Sequence, residues 1–431
     1  MSTAATNEPT LPGHPQLARL DGSLRLEGHS LDALGREHGT PLFVYSKRWM
    51  LDALAAYRRG FEGRDALVCY AIKANSSLGV LRVFAEAGCG FDIVSGGELT
   101  RVLKAGADPA KVIFSGVGKT RAEMRQALEA GIGCFNVESE AELQVLNAIA
   151  IEQGRRAAVS FRINPDVDPK THPYISTGLK ANKFGIAHDR AVAIYREAAG
   201  LAGIEVVGID CHIGSQITDA SPYFEALERV LDLVEEIEAA GVPLHHLDFG
   251  GGLGIDYAGE TPPAADALWK QLLARLDARG FGRRRIIIEP GRSLVGNAGV
   301  CLTEVLYLKP GEEKNFCIVD AAMNDLPRPA MYQAFHRIVP LAERAEAPPA
   351  RYDVVGPVCE SGDWIGRDRE LRVAPGDLLA VLSAGAYCME MASNYNSRNR
   401  AAEVLVGDGR ATLIRRRETI EDQLRNEDFA G

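Results

Sequence analysis

A chain of 431 residues with 46% hydrophobic and 25% charged residues has the composition of a folded globular protein, long enough for two domains with sizeable cores. Its formal net charge of −10 leaves no basic excess to displace counterions from a nucleic acid or to grip an anionic membrane, so a small-molecule partner fits better. The eight cysteines (69, 89, 134, 211, 301, 317, 359 and 388) form no C-x-x-C pair and no Cys/His cluster at zinc spacing, the pattern of a reduced cytosolic chain.

Residues 1 to about 15 read as a loose tail, without the basic and apolar blocks of a secretion signal. No later run reaches bilayer length, so the expected location is the cytoplasm. From about 45 to 300, short β-branched or aromatic runs alternate with helical patterns such as "KRWMLDALAAYRRGF" (47–61) and "YFEALERVLDLVEEIEAAG" (223–241). The strand candidates are 67–72, 91–94, 112–115, 134–137, 158–163, 206–213, 246–249 and 285–289. Eight strands alternating with helices over roughly 250 residues predict a (β/α)8 barrel, placed at 35–300, rather than an open sheet. Beyond 300 the pieces are strand-like without long helices, which predicts a mainly β domain from 301–431 joined by 16–34.

Lys73, Asp92, Ser115, Glu138, Arg162, His212, Asp248 and Glu289 all fall at or near the C-terminal ends of those strands, the face where barrel enzymes build their sites. Lys73, in "CYAIKAN", taken alone reads more readily as an exposed loop lysine than as a functional one. The glycine loops "DFGGGLGIDY" (248–257) and "EPGRSLVGNAG" (289–299) are either bare turns or, after strands 7 and 8, a phosphate site made of backbone N–H groups. An amine for an imine, a phosphate cradle, a carboxylate for a pyridine nitrogen and a flat ring together match what pyridoxal phosphate requires. A metal-dependent barrel enzyme would need a His/carboxylate cluster, and the strand ends offer only His212 as an imidazole, so no metal is expected.

The stretches "YAIKAN", "FDIVSGGEL", "FRINP", "THPYISTGLKANKFGI", "HIGSQITD", "DFGGGLGI", "EPGRSLVGNAG", "MNDLPRPAMY", "GPVCESGD" and "NYNSR" run from 70 to 398. In this order they resemble the fold type III pyridoxal-phosphate decarboxylases, most closely the branch acting on diaminopimelate. The resemblance implies an alanine-racemase-like (β/α)8 barrel, a C-terminal β-sandwich or barrel-like domain, and a homodimer with shared active sites. It also implies PLP-dependent decarboxylation of meso-2,6-diaminopimelate to L-lysine and CO2, the last step of lysine biosynthesis.

By the same resemblance Lys73 holds the cofactor through its amine, His212 stacks on the ring and Glu289 keeps the ring nitrogen protonated. Ser215, Gly252, Gly291 and Tyr387 hold the phosphate, and Gly251 and Arg292 also bind the cofactor. Arg292, Arg328, Tyr332, Tyr387 and Glu360 take the substrate, with Cys359 as proton donor; Cys359 and Glu360 come from the partner chain. Two arginines and a glutamate suit a zwitterionic distal end, which meso-diaminopimelate has and ornithine or lysine as substrates lack. The alternatives are a related decarboxylase of ornithine, lysine, arginine or carboxynorspermidine, and a catalytically silent relative; the latter is expected to lack Lys73 or Cys359. Pro327 departs from the apolar residue expected in the "MNDL" segment. The long stretch 164–185 is expected to be a lid over the substrate.

Overall fold

The computed structural model describes residues 10–11, 14–168, 183–342, 344 and 348–429. They divide into two compact units: Leu51–Ile255 with Thr261–Leu294, and a second made of the described residues before 51, Asp256–Glu260 and those from Val295 onward.

In the first unit, eight strands pair in parallel and in chain order: Ala66–Ala71, Gly90–Ile93, Val112–Phe114, Cys134–Val137, Ala157–Asn164, Ile204–Asp210, His246–Asp248 and Arg285–Ile288. Strand 8 pairs with strand 1, so the sheet closes into the predicted barrel. Each strand lies within three residues of its expected bounds. Parallel strands covered by helices on the outside are buried on both faces, which is why they read as near-continuous apolar runs. The helices of the βα units start at side-chain caps. Ser95, Thr120 and Ser139 each accept the N–H three residues on, and Thr120 makes a full capping box with Glu123.

Alternation along the strands layers the barrel interior. Cys69, Ile113, Cys134 and Ile287, from strands 1, 3, 4 and 8, form one buried apolar cluster. Two residues further on, the same face carries Ala71, Ser115, Asn136 and Glu289, and apolar packing gives way to a polar layer.

The β-rich unit is built on a mixed sheet in the order Trp364–Leu371, Ala350–Val355, Asn315–Val319, Gly299–Lys309, Leu42–Ser46, Ala402–Gly407, Arg410–Arg415. Ile338–Pro340 pairs with Leu378–Val381, which pairs with Gly299–Lys309. A four-stranded antiparallel sheet, from Thr10–Leu11 to His29–Ser30, joins it through the Leu24 N–H to the Leu341 carbonyl at 2.9 Å. Leu17, Leu24 and Leu26 pack with Leu302, Leu378 and Val404 in its core. Among the described residues, no helix is long and apolar enough to cross a membrane.

Candidate active site

Lys73 stands in the short 3-10 turn Ile72–Ala74 after barrel strand 1. Its Nζ donates to Asp92 Oδ2 at 2.8 Å; the lysine side chain is 37% exposed and the aspartate fully buried. The amine therefore remains reachable while its counter-ion is fixed inside the barrel. The Tyr70 hydroxyl, donating to the Asn75 carbonyl at 2.8 Å, braces the turn.

Glu289, just past strand 8, belongs to the polar layer. Its Oε1 accepts from Asn136 Nδ2 at 3.1 Å and lies 3.4 Å from the Ser115 hydroxyl, while Ser160 donates to Asn136 Oδ1. Carboxylate oxygens of Asp210, Asp248 and Glu289 lie within 4.8 Å of one another, all three buried. Two negative charges about 5 Å apart repel by ~3 kcal/mol at an effective dielectric near 20, so ionisation of all three together is disfavoured. Burial, then the charges of Asp248, Asp92 and Asp210, push Glu289 well above the usual carboxylate range, opposed by Lys73. Burial raises Asp248 to about 7 and Asp210 well above its ordinary value. All three carboxyls are thus pushed toward their protonated forms.

His212, beyond strand 6, is depressed well below an ordinary imidazole by burial and by the charges of Arg162 and Lys73. Its Nδ1 faces the Gly251 N–H at 3.2 Å and accepts from it, so the neutral ring carries its proton on Nε2. The loops after strands 6 and 7 are zipped by backbone bonds, Ile217 N–H to Gly252 O at 3.0 Å and Gly254 N–H to Ile217 O at 2.9 Å. Gly252 has φ +102°, and a Cβ there would stand 2.5 Å from the Gly214 carbonyl; at Gly251 it would stand 2.3 Å from the Glu289 carbonyl. Only glycine lets these backbones approach so closely. Arg292 opens the short helix Arg292–Val295 and donates to the Ser215 hydroxyl at 3.0 Å. Gly291 lies against Ala71 of strand 1.

The ends of strands 3 to 5 are tied by charge. Lys119, its side chain fully buried, donates to the Gly116 and Asn136 carbonyls and to Glu142 Oε1, each within 2.8 Å. Glu138 accepts from the Gly116 and Gly185 N–H groups and pairs with Arg162 at 3.3 Å. The barrel unit thus brings together Lys73, His212, Ser215, Gly251, Gly252, Glu289, Gly291 and Arg292. Residues 169–182 of the expected lid lie outside the described residues.

The remaining expected residues belong to the β-rich unit. Arg328 is buried at the start of the helix Arg328–Tyr332, with Pro327 at its cap and Pro329 just inside, positions where a fixed φ suits a helix start. Pro327 therefore fixes the backbone immediately before Arg328. Tyr332 ends that helix, half-buried. Cys359 is the exposed one of eight unbridged cysteines, its N–H held by Asn396 Oδ1 at 2.9 Å. Asp363 accepts from both Met323 and Val358 N–H groups, fastening the Cys359 loop to the "MNDL" turn. Glu360 is exposed and hydrogen-bonded to Tyr395. Tyr387 adopts φ +56°, a conformation a tyrosine holds only under constraint.

Sequence reasoning marked Asp92 and Asp248 only by their strand-end positions and missed Asn136, Asp210, Lys119 and His336. A polar residue inside an apolar strand run, as in "CFNV" and "VVGIDCHI", is the signal that could have found Asn136 and Asp210.

A family model described as pyridoxal-dependent decarboxylase, pyridoxal binding domain, matches residues 50–296. The chain is 55% identical over 402 residues to the diaminopimelate decarboxylase of Pseudomonas aeruginosa, covering 93% of this chain and 96% of that one. This chain belongs to the diaminopimelate decarboxylase family. Solved diaminopimelate decarboxylases share its fold. The one from M. jannaschii, in complex with L-lysine, superposes with a TM-score of 0.92 at 39% identity over 97% of this chain and 98% of that one. The one from Helicobacter pylori, also with L-lysine, gives 0.88 at 42% over 92% and 98%. A pyridoxal group asks for a reachable primary amine, a carboxyl able to share a proton with its ring nitrogen and a close-packed backbone cradle for its phosphate. Lys73, Glu289 and the glycine loops fit that demand.

Proposed function

We propose that this protein decarboxylates meso-2,6-diaminopimelate to L-lysine and CO2 with pyridoxal 5'-phosphate, in the cytoplasm and as a homodimer. The observation that carries the proposal is the barrel mouth, where a reachable lysine amine and a buried glutamate pushed toward its protonated form stand beside a glycine cradle, in a chain 55% identical to a diaminopimelate decarboxylase.

In this reading Lys73 supplies the amine that carries the cofactor, and Asp92 keeps that side chain aimed. His212, neutral, covers the ring face, Ser215, Gly252, Gly291 and Tyr387 hold the phosphate, and Gly251 and Arg292 line the cofactor site beside them. Bound pyridoxal phosphate supplies an electron sink for the pair left when the carbon–carboxylate bond breaks. Glu289, in its proton-rich layer, holds a proton where the ring nitrogen needs one, which acts on the barrier rather than on binding. Arg292 and Arg328 grip the distal carboxylate, with Tyr332 and Tyr387 beside it, and Glu360 takes the distal ammonium. Cys359, from a second copy together with Glu360, delivers the proton to the carbon that lost CO2.

The test is CO2 release by the cofactor-loaded protein given meso-diaminopimelate and, in parallel, lysine, ornithine and arginine. Release from diaminopimelate alone, lost in Lys73→Ala, is expected. Release from a basic amino acid would instead overturn the two-arginine account, because a site built for a carboxylate rejects a substrate lacking it.

A further inference from the structure

Arg328 is 6% exposed, and among the described residues no carboxylate lies within ion-pairing distance of it. A buried guanidinium is normally matched by an anion. Here it meets an imidazole: Arg328 Nη1 lies 2.9 Å from His336 Nε2, and His336 Nδ1 lies 2.9 Å from the Leu382 carbonyl. These partners dictate the tautomer. A carbonyl only accepts, so Nδ1 carries the proton; a guanidinium only donates, so Nε2 presents its lone pair. His336, fully buried, is thereby a neutral acceptor. Tyr257 completes the seat, its ring 4.6 Å beneath the Arg328 guanidinium and edge-on to His336 at 5.3 Å. The Tyr257 and Ala258 N–H groups are both held by Glu260, which fixes the ring's loop.

We propose that His336 is the positioning residue for substrate specificity: it orients Arg328 through a neutral acceptor, so that the guanidinium keeps its full charge for the carboxylate of the ligand. A carboxylate at 336 would orient Arg328 equally well but cancel that charge. The inference rests on the functional reading above, in which Arg328 grips the distal carboxylate. It adds a residue that touches neither substrate nor cofactor and acts only through Arg328.

The experiment compares His336→Gln with His336→Asn in the cofactor-loaded protein. The glutamine amide reaches the Nε2 position and can still accept from Arg328, whereas the asparagine amide reaches only the Nδ1 position and keeps the bond to Leu382 alone. Calorimetric titration with L-lysine, which has the carboxylate, and 1,5-diaminopentane, which lacks it, is read alongside KM and kcat for diaminopimelate. H336N should bind L-lysine about tenfold more weakly and raise KM by a similar factor with kcat little changed, while 1,5-diaminopentane affinity stays within about twofold. H336Q should stay within about threefold of wild type for both ligands. Wild-type lysine affinity in H336N, or equal losses for both ligands, would overturn the positioning role. A wild-type protein that binds neither ligand and releases no CO2 would overturn the functional reading, and this inference with it.

Discussion

Asp248 shows how a buried carboxyl couples the site to pH. Its folded-state value near 7 lies above the ordinary 3.8, because burial disfavours the charged form and Asp92 adds its own charge. Between those values the folded protein keeps a proton that the unfolded chain has released, so this stabilisation is full below about pH 4 and lost as pH rises through 7, by up to ~4 kcal/mol. Asp248→Asn keeps an acceptor for the Gly250 N–H, made at 2.9 Å, but removes the titration. In the cofactor-free protein the denaturant midpoint of Asp248→Asn should vary less between about pH 5 and 8 than that of wild type. An unchanged slope would mean that Asp248 is not a source of the dependence.

The loops after the barrel strands are where local chemistry and long-range packing meet. Gly252 suffers two constraints at once, a left-handed φ of +102° and a carbonyl 2.5 Å from its would-be Cβ, whereas Gly259 has φ +111° with nothing within 4 Å. Gly252→Ala should therefore weaken pyridoxal-phosphate binding at least tenfold and cost about 2–3 kcal/mol, and Gly259→Ala should cost only ~1 kcal/mol with binding unchanged. Cofactor absorbance titration and chemical denaturation measure both. The glycines of "GGGLG" were visible in the sequence, but which of them is sterically obligatory was not. That depends on Gly214, nearly forty positions away, crossing close by.

At the scale of the molecule, the proposed sharing of active sites between two chains predicts complementation. If Lys73 and Cys359 serve one site from different chains, Lys73→Ala and Cys359→Ala proteins, each inactive, should regain roughly a quarter of wild-type activity when mixed and allowed to exchange subunits. Half of the dimers would then be mixed, each with one intact site. Continued inactivity after proven exchange would place both residues in the same chain's site.

The barrel was legible because its physics is local: buried parallel strands must read as apolar runs, helices must carry polar faces, and strand-end residues such as Lys73 and Glu289 interrupt the apolar pattern. The family resemblance was legible for the same reason, since its motifs are contiguous. The sequence by itself determined the strand order, and it marked the lysine and the other polar residues at the strand ends that the proposed function uses. It did not determine that Leu42–Ser46 would lie between Gly299–Lys309 and Ala402–Gly407, a pairing set by chain segments hundreds of residues apart. Nor could it reveal that Asp210 and Asp248 crowd Glu289, or that His336 meets Arg328 with a lone pair rather than a charge. Those are properties of distance and burial, and both exist only once the chain has closed on itself.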